Sequence, residues 1–479
     1  MSRESPVLQA GGIKMVIAYA AMIVVTILAF LFINSLGTNL VAAAGSDGTR
    51  FGAQVATADA HVFLHVLLAL VTVILAARLL GALFRRLQQP PVIGEVIAGI
   101  LLGPSLLGHV APTVSAYVLP PAVAPFLGVI AQVGVVLFMF LVGLELDTSA
   151  LRQKTQVAVA ISHASIIAPF LMGSTLALWL YPRLATHDVP FTSFALFMGV
   201  AMSVTAFPVL ARILTDRRIQ RTRLGIIALA CAAVDDVSAW CLLAFVVSVA
   251  QARLSGALPT ILMTLGYIAG MFLVIGPLVR HVVQRQRQIT QESSAWVFVA
   301  LLSSALLTEF IGIHAVFGAF FLGAVIPHDA PLARDIGRKL EDLVVVVLLP
   351  AFFAFTGMRT RIALVSGFDQ WLMCGVIIAV ACAGKFGGST VAARLCGLTW
   401  RDAASLGVLL NTRGLMELVV LNIGLDLGVI SPTLFAMMVL MALATTLATT
   451  PAGNRHFAEL IGEALDRSPA ASLLFSRVP

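Results

Sequence analysis

A chain of 479 residues has room for about three globular domains, but its composition forbids a soluble set of them. Hydrophobic residues make up 59% and charged residues 11%, with mean hydropathy +1.01, against about 45–50% and about 25% in soluble domains. Too few charges remain to cover a water-exposed surface, which excludes a soluble enzyme, a nucleic-acid binder and a disordered scaffold. The net charge of +7, from 30 Lys and Arg against 23 Asp and Glu, is not gathered into one binding face. The charges punctuate long apolar runs, the pattern of a polytopic membrane protein.

The first apolar run, residues 15–33, follows Lys14, and Ala42–Ala44 offer small residues for cleavage. Its length of about 19 residues exceeds the ~7–15 of a signal h-region, so it reads as an uncleaved first span. Taking about 20 residues per crossing, the chain holds about fourteen spans: 15–35, 61–83, 91–108, 125–144, 157–181, 191–214, 223–250, 258–280, 294–311, 314–327, 342–358, 371–395, 402–425 and 431–451. Residues 294–327 are split because a single helix of that length would run about 50 Å. With both termini cytoplasmic, about 22 Lys and Arg fall on the inside and about 5 outside. The inside set includes Arg85–Arg86, Arg152, Lys154, Arg217–Arg223, Arg280–Arg287 and Arg334–Lys339. The cysteines Cys231, Cys241, Cys374, Cys382 and Cys396 are odd in number and lack a CxxC. They read as buried small hydrophobes, not disulfides or a zinc site.

Setting aside residues 1–60 (a first helix and polar linker) and 252–290 (a connecting helix) leaves two groups of six spans. These groups, 61–251 and 291–451, begin on opposite sides of the membrane, and a short tail, 452–479, follows. That is an inverted repeat, the frame of alternating-access carriers. The fifth span of each half is interrupted, in Ser203-Val204-Thr205-Ala206-Phe207-Pro208 and in Asn411-Thr412-Arg413-Gly414-Leu415-Met416-Glu417. Matched interruptions point to a midplane binding site.

Charges in mid-span mark function by default, because hydrocarbon penalises each of them. Asp235 and Asp236 lie about twelve residues from either end of their span, beyond reach of water by snorkelling. Adjacent side chains diverge by about 100° on a helix, so the two cannot share one partner. One of them can pair with Lys385, flanked by Gly384, Gly387 and Gly388, which permit close helix approach. The other needs a proton or a cation, and competition between these two for the same oxygens gives antiport under alternating access. Thr205 offers a hydroxyl beside a Pro-opened turn as a cation ligand. Arg413 and Glu417, spaced i, i+4, either pair with each other or compensate broken helix ends. Glu95, Glu145 and Asp147 read as interfacial caps, while Glu309 and His314 flank a turn at Gly312. His163 reads as a packing residue. His61 and His65 read as one face of a helix start, since no third metal ligand is near.

Seven segments together carry a resemblance: QPPVIGEVIAGILLGPSLLG (89–108), VLFMFLVGLELD (136–147), MSVTAFPVLARIL (202–214), AAVDDVSAW (232–240), FGAFFLGAVIP (317–327), GKFGG (384–388) and NTRGLMELVVLNIG (411–424). From about residue 61 to 451 the chain resembles the monovalent cation:proton antiporter-2 family of the sodium/proton exchanger superfamily. The last segment is particularly similar to plant cation/proton exchangers and their bacterial relatives. The resemblance implies an all-α, elevator-type carrier with crossed broken helices, and a homodimer whose protomers have a dimerisation domain and a mobile core. It implies Asp236 as the main ion and proton carrier and Asp235 as the partner of Lys385, with Thr205 beside them.

The implied activity is exchange of K+ or Na+ for protons in the cell membrane, without a cofactor, with K+ favoured on the NTRGLMEL segment. Kef-like members carry a nucleotide-binding domain. Here about 28 residues follow Pro451 and no GxGxxG occurs, so gating by nucleotide or glutathione is not expected. The alternatives are a sodium-coupled or channel-like cation transporter on the same fold and, last, an intramembrane aspartyl protease. The protease would need two convergent carboxylates.

Overall fold

The structure, a computed structural model, describes residues 6–37, 40, 62–87, 89–145, 156–186, 189–216, 219, 222–251, 257–285, 291–327 and 330–466. His61, Asp147, Arg152, Lys154, Arg287 and the last thirteen residues fall outside these. Among the described residues the regular structure is helical throughout, which satisfies the backbone groups of helix interiors within their own segment, as hydrocarbon requires.

The first part comprises α1 (Pro6–Gly37), α2 (Val62–Arg86), α3 (Pro91–Leu102), α4 (Ala124–Glu145), α5 (Gln156–Leu184), α6 (Phe191–Ser203), α7 (Phe207–Asp216) and α8 (Arg223–Gln251). The connector α9 (Ala257–Gly270) passes through a π turn into α10 (Gly276–Arg285). The second part comprises α11 (Gln291–Ile311), α12 (Ala315–Val325), α13 (Pro331–Leu343), α14 (Leu349–Arg359), α15 (Gly367–Leu395), α16 (Trp400–Leu410), α17 (Leu415–Asp426) and α18 (Pro432–Asp466).

Eleven helices among the described residues are long and apolar enough to cross a membrane. The expected spans missing from that set are the two interrupted ones, now α6/α7 and α16/α17, and α12. At 11 residues α12 is roughly 17 Å long. The break before α12 is where the sequence places it. Gly312 (φ 95°) and His314 (φ 78°) carry the chain through the left-handed region, and a Glu309 carboxylate oxygen accepts the Ala315 N–H at 2.7 Å.

Three boundaries differ from the hydropathy reading. The span expected at 342–358 begins as α13, eleven residues earlier, and joins α14 through a π turn. Its Arg, Asp, Lys and Glu residues hide it from an apolar window, yet Leu332, Ala333, Ile336 and Leu340 are buried along one face. The span expected at 91–108 stops at Leu102, beyond which Gly103 leads to two short helices, Leu107–Val110 and Pro112–Val118. The last helix runs on to Asp466, past the 451 at which its apolar run ends.

Close packing follows a matched pattern of glycines. A Cβ on Gly99 of α3 would collide with the backbone of Ala354 in α14, and one on Gly357 with Val96 and Ile100 in α3. The α4–α12 pair repeats this, with Gly143 against Phe320 and Gly323 against Phe140. The two helices before these pairs behave alike: Gly94 is seated on Leu80 of α2 and Gly318 on Ser304 of α11. The same G-x4-G spacing (94/99 and 318/323) therefore builds the same helix contacts in both parts of the chain.

Gly323→Leu is expected to destabilise the detergent-solubilised protein by about 1–3 kcal/mol through overpacking, measured as a lowered Tm. Gly375→Ala, where an added Cβ meets nothing within 4 Å, should lower it not at all.

Candidate functional site

Two interrupted helices meet at the centre. Pro208 at the second position of α7 lacks an N–H, which a first helical turn tolerates without loss, and the chain runs extended through Val204 (ψ 136°) before α7 begins. The second break, Asn411–Gly414, separates α16 from α17. The breaks touch: the Ala206 N–H donates to the Thr412 carbonyl at 3.1 Å. Four helix ends thus converge, bringing unpaired N–H and C=O groups and their partial charges to one place.

Asp235 and Asp236 face this crossing from the middle of α8, at 0% and 2% exposure. Their environments differ sharply. Asp235 accepts from Ser162 (2.5 Å, Oδ1), Ser165 (2.6 Å, Oδ2) and Thr205 (2.7 Å, Oδ2). Lys385 Nζ lies 3.4 Å from Asp235 Oδ2, long for a charge-assisted contact, which is typically ~2.7–2.9 Å. Its shorter bond, 2.5 Å, goes to Thr205 Oγ1, and a weaker one, 3.5 Å, to Ser165 Oγ. Thr205 and Ser165 therefore bridge the ion pair as hydroxyls. Neither oxygen of Asp236 has a hydrogen-bond partner among the described residues, although the backbone N–H of Phe207, the first residue of α7, faces it.

Lys385 reaches this pocket because α15 presses onto α5. A Cβ on Gly384 would lie 2.7 Å from Pro169 Cα, and one on Gly388 would lie 2.6 Å from Ala168 Cβ. Gly387, expected to share this role, faces open space.

The other ends of the crossing are compensated by the protein itself. Arg413 donates to the carbonyls of Ala201 (3.1 Å) and Met202 (2.7 Å) at the end of α6, and to Glu417 in the first turn of α17 at 2.6 Å. Both side chains are fully buried. The two sequence readings of this pair, mutual pairing and compensation of helix ends, hold together. Thr446 of α18 donates to the Arg413 carbonyl at 2.8 Å. Ser203 donates to the carbonyls of Gly199 in its own helix and of Ile166 on α5, and Thr412 to that of Leu409. Asn411 donates to Cys382 Sγ at 3.6 Å, and its Oδ1 is unpartnered among the described residues.

The sequence reading missed Ser162, Ser165 and Thr446. The two serines are spaced i, i+3 on one helix face, a weak signal in a span that also holds His163, whose Nδ1 sits 2.9 Å from the Val159 carbonyl. It also missed Arg359, which joins α14 to the end of α17 through Asn422 (2.9 Å) and Asp426 (2.5 Å). These residues line a cavity of about 450 Å3 between α4, α12, α14 and α17, whose lining includes neither aspartate nor Lys385. Glu95 is buried within α3. His65 stacks edge-on with Tyr117. No group of three potential metal ligands occurs among the described residues.

Residues 70–453 match the family of the sodium/hydrogen exchanger transmembrane region. The chain belongs to the sodium/hydrogen exchanger family. The exchanger is 44% identical to the Na(+)/H(+) antiporter NhaS4 of Synechocystis over 82% of its own length and 97% of that protein's. It is 40% identical to Cation/H(+) antiporter 20 of Arabidopsis thaliana over 79% of its own length and 47% of the relative's, so it spans about half of that plant protein. Its fold is that of the sodium proton antiporter MjNhaP1 from Methanocaldococcus jannaschii (TM-score 0.58, 15% identity, 83% of this chain and 99% of that one).

Arg413→Ala leaves Glu417 as an unpaired buried charge and strips two helix-end carbonyls of their donor. It is expected to destabilise the exchanger by about 3–5 kcal/mol. Thermal unfolding should show the Arg413→Ala, Glu417→Ala double variant recovering part of that loss, since the orphaned charge is then gone.

Proposed function

We propose that this chain is a secondary active antiporter that exchanges a monovalent cation, K+ or Na+, for protons by alternating access, with the two ions competing for Asp236. One observation carries the reading: a carboxylate at mid-helix, 2% exposed, with both oxygens unpartnered among the described residues beside crossing helix ends. An uncompensated carboxylate in hydrocarbon is costly, so a proton or a monovalent cation completes it, and each excludes the other. The names of the cyanobacterial and plant relatives, a sodium/proton and a cation/proton antiporter, agree with this chemistry. A protease is disfavoured because Asp235 is turned to hydroxyls and Lys385 instead of sharing a water with Asp236.

Around this site we place about fourteen spans. They are arranged as two inverted six-helix halves, 61–251 and 291–451, joined by the helix of 252–290. The matched glycine contacts of α3–α14 and α12–α4 support that symmetry, as do the two interrupted helices in matching positions. The reading further holds both termini in the cytoplasm of a cell-membrane homodimer, each protomer having a dimerisation domain and a mobile core. Between K+ and Na+, the NTRGLMEL segment (411–418) leans to K+, and the cyanobacterial relative's name to Na+.

In proteoliposomes carrying an internal pH dye, addition of Na+ or K+ is expected to move protons through the wild type. Asp236→Asn should abolish the signal. Failure of both cations to move protons, or full exchange by the variant, would overturn the assignment. Lys385→Ala is expected to lower both transport and Tm, because Asp235 then loses its charge partner.

A further inference from the structure

We infer that α1, the helix that precedes the two matched halves, belongs to the body that carries the ion site. It travels with that body during exchange, while α2, its neighbour in sequence, stays with the other. This rests on the alternating-access reading above and adds which part of the molecule the first helix moves with.

The close glycine contacts sort the helices into two sets. One set joins α2 to α3 (Gly94 on Leu80), α3 to α14 (Gly99 on Ala354), α4 to α14 (Gly128 on Phe355), α4 to α12 (Gly143 on Phe320) and α11 to α12 (Gly318 on Ser304). The other joins α5 to α6 (Gly173 on Met198), α5 to α15 (Gly384 on Pro169), α15 to α16 (Gly407 on Phe386) and α6 to α17 (Gly424 on Phe197). The bonds of Asp235 to Ser162 and Ser165 tie α8 to α5 in this second set. None of the close glycine contacts among the described residues crosses from one set to the other.

That division has a mechanical meaning. Where a missing Cβ lets two helices touch, a large displacement of one along the other drives atoms into a close-packed surface with no spare volume. Movement between helices therefore belongs to the seam between the sets. There α14 meets α17 through Arg359, Thr356, Asn422 and Asp426, polar contacts that can part and re-form.

On this seam α1 falls on the side of the ion site, packing on α5 and α6. Phe30 meets Phe170 with ring centroids 5.8 Å apart, Ile33 is buried in the main core, and Thr192 donates to Asn34 Oδ1 at 2.6 Å. A Cβ on Gly37 would collide with the ring of Phe191 at the start of α6, as one on Gly424 would with Phe197 of the same helix. Phe170 in turn lies against Gly199 of α6 and follows Pro169, the residue on which Gly384 is seated. The first helix thus backs the stretch of α5 that brings Lys385 to its place.

Paired spin labels decide the matter. Leu36 on α1, Leu372 on α15 and Phe63 on α2 are exposed and are replaced by Cys two at a time, in a background whose five native cysteines are Ala and which still exchanges. Distances are read at low pH without cation and at high pH with Na+ or K+. The 63–372 distance is expected to shift between the two conditions, the 36–63 distance to shift with it, and the 36–372 distance to stay fixed. A fixed 36–63 distance with a shifting 36–372 distance places α1 in the other body and overturns the inference, leaving antiport intact. A 63–372 distance that never shifts, in protein that still exchanges, removes the two-body movement and the inference with it. Absence of exchange in the wild type overturns antiport itself. A second variant, Asn34→Cys with Thr192→Cys, is joined by a short reducible thiol-reactive linker. Exchange is expected to survive the linkage unchanged; its loss on linking and return on reduction would mean that α1 must move against α6, and the inference fails.

Discussion

The cost of a carboxylate in hydrocarbon is the constraint on which this structure turns. Asp235 and Asp236 sit in the middle of α8, too far from either end for water, and a buried charge left without partners costs several kcal/mol. The chain meets that cost for one of them. Ser162 and Ser165 come from α5, Thr205 from the gap between α6 and α7, and Lys385 from α15. Three separate elements must therefore pack within hydrogen-bond reach of one turn of α8. The bare surfaces of Gly384 and Gly388 against Pro169 and Ala168 make that approach possible. For Asp236 no such set is supplied among the described residues.

The broken helices answer the same constraint for the backbone. Interrupting a helix inside a membrane exposes N–H and C=O groups that need partners. Arg413 covers the end of α6, Glu417 sits in the first turn of α17, and Thr446 secures the Arg413 carbonyl from α18. At the start of α7 the groups lie beside Asp236 instead. One side of the crossing is thus closed by a permanent ion pair, and the other is left to a carboxylate that lacks one.

The far end of α17 is held differently. Arg359 reaches from α14 to Asn422 and Asp426, and Asn422 donates to Thr356 of α14 at 2.8 Å. The broken helix is therefore anchored at both ends: to α6 through Arg413, and to α14 across the rim of the 450 Å3 cavity. These polar ties run between helices whose apolar packing lies elsewhere, α14 against α3 and α17 against α18.

Much of this was legible in the chain itself. Apolar run lengths placed the helices, because a bilayer imposes a length on every crossing. The clustered polar and helix-breaking residues at 203–208 and 411–417 located both interruptions, because several of them in a row weaken an apolar helix at one point. Asp235, Asp236 and Lys385 stood out for the same reason. The amphipathic α13 did not, since its exposed charges mask a buried stripe from an apolar window.

Composition and spacing thus determined the class of molecule, the course of the helices and which charges are buried, all of which are properties of one segment against its solvent. Only the tertiary structure decided that two serines from α5 attend Asp235, that Thr205 bridges it to Lys385, and that Asp236 is the carboxylate left over. Those are contacts between residues 30 to 180 positions apart. No local pattern encodes them, because they depend on how closely one helix can lie upon another.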